Sequence, residues 1–503
     1  MRSKKALYNV GTNLVLQFII IFYGFIVPKI IISFFGSTVN GLVSSITQFL
    51  GYITLLESGA GPVVKAALYK PIAKKDNGEI ANILRASEKF FRIISYIFIL
   101  YLLLVALFYP VIVINEFDYL FTFILVVIIS VSIFAEYYFG MTYRLFLQAS
   151  QKTYVISIIQ IATYLLSALS IVIMVKIGVS IHILKLISGL IFVGRPLLQN
   201  LYVRKKYKID YKNVDNNYKL KQKWDGLAQH IAAVVHNNTD ITILTFLGTL
   251  VDVSIYSIYY LVLKGVKSLI QSFTGGIDAL FGDMIAKGEQ ENLNKKFDMY
   301  EVVYFTIATL FYMCTLVLIV PFVTVYTKNV TDANYIRPLF GLLLTLSEFM
   351  WAIRLPYSSI TLAAGHFKET RKGAWVEAVV NILLSIILVN KFGLIGVAIG
   401  TFVAMLIRTF EFVYHTNKYI LKRSVFASIK KIILIVFQIL LSMVIFRYIS
   451  FLDNVSYFNW VINAVITFVI SFAVVVSINC IFYIDQYKNL WYILKKSIKR
   501  KKA

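Results

Sequence analysis

Apolar runs of about twenty residues follow one another along almost the whole chain, each closed by a short polar stretch. A helix rises about 1.5 Å per residue, so about twenty apolar residues cross the roughly 30 Å hydrocarbon layer of a bilayer. With that window the pattern predicts fourteen membrane helices. They fall near 9–33, 40–63, 90–113, 119–143, 153–175, 179–201, 225–247, 252–280, 300–325, 337–363, 373–390, 393–416, 427–449 and 459–484. The fold class expected is an all-α integral membrane protein.

Charge tests the count, because a missed or invented helix would invert every later loop. With Arg2, Lys4 and Lys5 placed inside, the inner segments carry about 39 Lys and Arg residues and the outer ones about 6. The alternation never breaks, which places both termini on the cytoplasmic side of a cell membrane. Abundant Ile, Lys, Asn, Phe and Tyr point to an AT-rich bacterial genome, and so to the bacterial inner membrane. Outer loops are as short as NEFDY and NKFG, too small to carry chemistry. No small-residue cleavage site follows the basic start MRSKKALYNVG, so the first helix is expected to be retained.

The chain also repeats itself. FFGSTVNGLVSSI from Phe34 matches FLGTLVDVSIYSI from Phe246; Ile72, Ala73 and Lys74 match Ile285, Ala286 and Lys287; VKIGV around Lys176 matches NKFGL around Lys391; and Arg195 falls on Arg408. Every match keeps an offset of about 212 to 215 residues. Six helices fit that interval, an even number, so the two copies share one orientation and are related by an axis along the membrane normal. The expected organisation is an N-lobe at 1–210 and a C-lobe at 211–420, followed by two added helices and a basic, lipid-seeking tail at 421–503.

Polar residues inside the spans are the candidates for function. Lys264 and Lys267 lie about 18 and 22 Å into the eighth helix, too deep to reach either interface easily. Ser257, Tyr260, Lys264, Lys267, Ser268, Gln271, Thr274 and Asp278 recur at steps of three and four, one face of a helix. Helix 2 repeats the pattern with Ser45, Gln48 and Tyr52. Helix 1 adds Asn9, Asn13, Gln17, Pro28 and Lys29, and helix 7 adds Gln229, His236 and Asp240. Such faces can line one central cavity, and the plainer alternative is helix–helix hydrogen bonding. Lys29 can snorkel to an interface. His236 with Asp240 fits either a protonation pair or a polar contact, and Glu57 and Asp278 fit either proton carriers or structural partners of the cations. Arg354, beside Pro356, has a functional claim. Arg408, Glu411 and His415 lie where interfacial anchoring is the default.

Composition narrows the chemistry. The chain is 59% hydrophobic and 15% aromatic, with a mean hydropathy of +0.76. The formal charge of +25 raises a nucleic-acid partner, which the placement of the basic residues between spans sets aside. Cys314 and Cys480 sit in apolar runs, so neither a disulfide nor a thiolate metal site is expected. No phosphate-binding loop, dinucleotide fingerprint or metalloprotease motif occurs. The expectation is a transporter with no catalytic residue, cofactor or metal, rather than an enzyme.

A twelve-helix repeat with two added helices and cations at mid-membrane resembles the polysaccharide-transporter branch of the MOP superfamily, the Wzx-type flippases of O-antigen, capsule or exopolysaccharide repeat units. FFGSTVNGLVSSITQFLGYITLLESGAG at 34–61 and the following ALYKPIAKKDNGEIANIL carry the resemblance, which extends over nearly the whole chain. It implies a MATE-like two-lobe fold and a flippase that carries an undecaprenyl-pyrophosphate-linked oligosaccharide across the membrane by alternating access through a cationic central cavity. On that expectation Lys264, Lys267, Arg354 and Lys29 neutralise phosphate and Tyr52, Tyr260, Gln48 and Gln271 contact sugar. Asp240, His236, Glu57 and Asp278 are candidates for ion coupling. The partners are the lipid-linked oligosaccharide and membrane lipid, with a glycan polymerase and glycosyltransferases as candidate protein partners. A lipid II flippase, a drug or cation antiporter of the MATE type and, less readily, a membrane glycan polymerase are the alternatives.

Overall fold

The structure is a computed structural model that describes residues 2–57, 60–207, 209, 239–274, 277–366, 368–453, 456–488 and 495. Among these the secondary structure is helical, and 13 helices are long and apolar enough to cross a membrane. They coincide with thirteen of the fourteen predicted spans. The seventh, near 225–247, lies largely outside the described residues. The chain is a multi-pass membrane protein.

Two spans begin earlier than the hydropathy suggests, at Asn77–Ile112 and Gln290–Tyr326. Their first turns carry Glu79, Arg85, Glu88 and Lys89 in one and Glu291, Lys295 and Lys296 in the other, so a hydropathy window stops while the backbone bonding continues into water. Asp76 caps the first by accepting from the Glu79 amide at 3.0 Å. Each long helix follows a shorter one, Ala60–Lys74 and Ile277–Ala286. The stretch expected as a single helix at 252–280 is thus two helices, Leu250–Ser272 and Ile277–Ala286.

The chain divides into two compact units, Met1–Ser254 and Ile255–Ala503. In the first, Arg2–Phe35 packs on Thr153–Ile177, and Asn77–Ile112 and Ile181–Tyr207 flank Tyr119–Ala135. Residues 239–254 close onto Ser37–Gly51. Asn40 Nδ2 donates to Ser254 Oγ at 2.8 Å, and Ser45 and Thr245 share a hydrogen bond at 2.7 Å. A Cβ on Gly41 would stand 1.7 Å from the Leu250 carbonyl oxygen, so this approach needs glycine. Thr249 and Asp252 start the next helix as a reciprocal cap, with Thr249 Oγ1 donating to Asp252 Oδ2 at 2.8 Å. In the second unit Pro338–Ala363, Arg371–Phe392 and Leu394–His415 form the closest-packed group. The two added helices, Phe426–Arg447 and Tyr457–Phe482, lean on Gln290–Tyr326.

The repeat is visible in the backbone. Lys75 (φ 58°) and Gly288 (φ 69°) turn left-handed just before the two long helices, and Gly178 (φ 77°) and Gly393 (φ 53°) do so at the outer hairpins. It is also visible in the core. Tyr143 donates to Glu88 Oε1 at 2.6 Å in the first unit, and Tyr357 donates to Glu301 Oε1 in the second. Both the glutamates and the tyrosines stand one repeat apart.

Candidate functional site

Leu250–Ser272 has two faces. Leu263 and Ile270 are fully buried on one, while on the other Lys264, Ser268 and Gln271 are exposed, Tyr260 is half-buried and the Lys267 side chain is mostly buried. Spacing by three and four residues puts the polar side chains on one stripe, and hydrocarbon offers such a stripe no partner, so it faces water or protein. Tyr260 stacks on Tyr256 with ring centres 5.8 Å apart. Lys264 has no acidic partner among the described residues.

Three further cations of the second unit, Lys267, Arg354 and Arg408, pair with carboxylates. Lys267 Nζ lies 3.0 Å from Glu348 Oε2 and 4.3 Å above the Trp351 ring. Arg354 Nη1 donates to Glu377 Oε1 at 2.8 Å, and Arg408 Nε lies 3.4 Å from Glu377 Oε2. Arg408 also donates to the Thr370 carbonyl at 2.8 Å and pairs with Glu411. Three cations meet three carboxylates, and each ion is desolvated at a cost that only close pairing offsets. Sequence reasoning assigned Lys267 and Arg354 to a ligand phosphate; the structure places Glu348 and Glu377 beside them. Among the described residues no carboxylate compensates Lys264. Further along, His366 Nδ1 and His415 Nε2 share a hydrogen bond at 3.0 Å.

The first unit holds the remaining candidates. Tyr52 shares a hydrogen bond with Thr242 at 2.7 Å, and Gln48 is half-buried one turn before it. Asp240 is buried, and Lys29 is half-buried beside Pro28. Glu57 accepts from Tyr137 at 2.9 Å, while Arg144 pairs with Glu136 at 2.9 Å. Tyr137 and Glu136 belong to a π-helical turn, Glu136–Gly140, a wide turn that redirects side chains. His236 lies outside the described residues. Asp278 lies in Ile277–Ala286, with its side chain outside them.

Three groups were not predicted. The first is the carboxylate set around Arg354 and Arg408. The second is Arg195, whose Nε donates to Thr163 at 2.7 Å while its guanidinium rests 4.1 and 4.0 Å from the Tyr164 and Phe192 rings. The third surrounds fully buried Glu301. Arg423 donates to Glu301 Oε2 at 2.8 Å and Ser428 to Oε1 at 2.7 Å, and Lys431 bridges Glu301 and Asp298. The repeat held a signal for this last group, since Glu88 and Glu301 are 213 residues apart. No local motif marks Arg423 or Lys431.

No protein-family model matches the chain. No curated protein matches it either. Solved structures do match over most of its length. One titled lipid II flippase MurJ, in an inward closed conformation, superimposes with a TM-score of 0.70 at 16% identity, covering 95% of this chain and 99% of that one. An inward-facing multidrug resistance MATE family transporter of the MOP superfamily gives 0.61 at 14% identity, covering 82% and 98%. A point mutant of the Vibrio cholerae MATE transporter VcmN gives 0.51 at 14%, covering 84% and 98%. At these identities the likeness establishes a MurJ- and MATE-like fold.

Proposed function

We propose that the chain is a flippase for a polyprenyl-pyrophosphate-linked oligosaccharide repeat unit in the bacterial inner membrane, with both termini cytoplasmic. Transport proceeds by alternating access. The observation that carries this reading is Lys264, an exposed cation without an acidic partner among the described residues, on a polar stripe deep within a span. A lipid pyrophosphate supplies a counter-charge that the described residues do not, which offsets the cost of holding an ammonium group there. Lys267 contributes by exchanging Glu348 for phosphate, and Tyr260 and Gln271 on the same face offer the ring and amide groups that bind sugar. Arg354 acts through Glu377. Lys29, Gln48 and Tyr52 provide the corresponding polar contacts of the first unit, and Asp240, His236, Glu57 and Asp278 are the groups through which an ion gradient would act. Pro28 and Pro356, both inside spans, weaken helix bonding where rocking requires bending. A glycan polymerase and glycosyltransferases are the natural protein partners of such a carrier.

The test is surface glycan in cells whose copy carries Lys264→Gln, at matched protein abundance. Loss of surface glycan with accumulation of the lipid-linked unit inside is the expected result, and normal display would argue against it. The structural likeness to a protein titled lipid II flippase favours a second reading, in which the cargo is lipid II. Under that reading depletion stops growth in cells that make no other glycan. Resistance to a cationic dye on overexpression would instead indicate an antiporter.

A further inference from the structure

The repeat that places Arg195 on Arg408 repeats the cation without its counter-ions. In the second unit Arg408 pairs with Glu377 of Arg371–Phe392 and with Glu411 on its own helix. In the first, Arg195 stands on Ile181–Tyr207, which packs against Thr153–Ile177. Tyr23 of Arg2–Phe35 reaches the same place, its ring centre 6.0 Å from that of Phe192. None of these three helices contains an aspartate or a glutamate. Arg195 is fourteen residues, about 21 Å, from the outer start of its helix and twelve residues, about 18 Å, from its inner end. An unpaired guanidinium within a span is costly, so its presence there calls for a partner.

The guanidinium is held in place yet left largely unsatisfied. Its Nε donates to Thr163 Oγ1 at 2.7 Å, and that hydroxyl is itself oriented by the Ile159 and Gln160 carbonyls, each 3.0 Å away. The Tyr164 and Phe192 rings lie 4.1 and 4.0 Å from it, which fixes the plane of the group. Nη2 is buried with no hydrogen-bond partner, and no acceptor among the described residues meets Nη1. Thr163 thus takes Nε and leaves the edge formed by Nη1 and Nη2, two parallel donors that match the two oxygens of a carboxylate. The Gln160 amide and the Tyr164 hydroxyl lie one turn apart on the same helix, both half-buried and neither bonded to a described residue. Tyr23, by contrast, is tied to Ser167 at 3.0 Å, with its ring 4.9 Å from that of Tyr164.

We propose that Arg195 recognises an acidic sugar of the cargo, taking the carboxylate of a uronic acid residue on Nη1 and Nη2 while Gln160 and Tyr164 bond to its hydroxyls. The site rests on the proposed flippase function and narrows the cargo to repeat units that carry a carboxylate. A single guanidinium balances the single negative charge of a carboxylate. A pyrophosphate brings at least two charges and suits a cluster of cations, whereas the next cations on Ile181–Tyr207, Lys185 and Arg204, stand about 15 and 14 Å along the helix axis. The Tyr164 ring, whose hydroxyl bonds to no described residue, turns aside to admit the sugar to Nη2.

The experiment compares flipping, in proteoliposomes, of two polyprenyl-pyrophosphate oligosaccharides that differ in one residue, glucuronate or glucose. The wild-type chain is expected to favour the glucuronate cargo, and Arg195→Gln should lower the ratio of the two rates at least about tenfold. Lys264→Gln should lower both rates and keep their ratio, and Lys368→Gln, at an exposed lysine of the second unit, should change neither. If Arg195→Gln fails to fold, Thr163→Val, which removes the acceptor of Nε and keeps the charge, should shift the ratio in the same direction. A wild-type ratio near one, or a ratio that these variants leave unchanged, overturns the acidic-sugar site while the flippase function stands. If neither cargo is flipped, the flippase function fails, and thermal unfolding of the full chain in detergent with glucuronate, glucose or inorganic phosphate decides the site. A rise in Tm with glucuronate alone, abolished in Arg195→Gln, upholds it. No rise, or an equal rise with glucose or phosphate, overturns it.

Discussion

The two units share a buried frame and differ in what is built onto it. Each has a tyrosine hydroxyl bonded to a glutamate near the start of a long helix, Tyr143–Glu88 and Tyr357–Glu301. Around Glu301 the chain adds Arg423, Ser428 and Lys431, together with Asp298, and the cluster is closed. Around Glu88 the described residues add Arg85, at 3.5 Å with half of that arginine exposed. A duplicated fold can therefore keep one polar anchor and use it twice, once to moor extra helices and once, among the described residues, without them.

That contrast predicts unequal costs for the same substitution. Glu301→Ala takes a buried carboxylate from both Arg423 and Lys431 and should destabilise the protein by about 3–5 kcal/mol, whereas Glu88→Ala removes the acceptor of one tyrosine hydrogen bond and should cost about 1–3 kcal/mol. Detergent unfolding of both variants measures the difference, and equal losses would break the comparison. Gly41 is the next point of asymmetry, because the equivalent residue is Val253, buried where it stands. Gly41→Val forces a side chain into the Leu250 carbonyl and should cost about 1–3 kcal/mol or more, while Val253→Ala should cost less than that; reversal of the order would show that the close approach is dispensable.

A double-mutant cycle on Lys267 and Glu348 sharpens the account of the second unit. Lys267→Gln alone leaves a buried carboxylate unpaired, and adding Glu348→Gln should restore abundance, with a coupling of about 0.5–3 kcal/mol. Additive losses would mean that the 3.0 Å pair contributes nothing. The smallest effect is expected at Tyr143→Phe, about 1 kcal/mol, against a larger one at Tyr357→Phe, whose partner also holds Arg423 and Lys431.

Much of this fold was legible in the sequence because membranes impose simple rules. Span length follows bilayer thickness, and basic residues choose one side, so thirteen described spans fall where the apolar runs put them. The repeat survived as weak matches at a constant offset, and Lys75 with Gly288 and Gly178 with Gly393 explain why those places kept their pattern: each is a left-handed turn at a helix boundary. Helix ends were less legible. Hydropathy marks where hydrocarbon stops, not where backbone bonding stops, so Asn77–Ile112 and Gln290–Tyr326 start early.

The site was legible as a set of residue types and not as a set of pairs. Lys264, Lys267 and Arg354 stood out because charge inside a span is costly. Their partners did not. Glu348 lies on the same helix as Arg354 yet pairs with Lys267, and Arg354 reaches across to Glu377. Which carboxylate meets which cation depends on helix packing and rotation, and helical periodicity within one segment carries no information about its neighbours.

The claim on which the functional account turns is that Lys264 binds the phosphate of a lipid-linked cargo. Its most direct measurement is the flipping rate of a polyprenyl-pyrophosphate oligosaccharide in proteoliposomes reconstituted with the wild-type chain, Lys264→Gln and Lys264→Arg. The account predicts a rate at least about tenfold lower for the glutamine variant, equivalent to about 1.4 kcal/mol, and substantial retention for arginine. A glutamine variant that flips the substrate at the wild-type rate would contradict it.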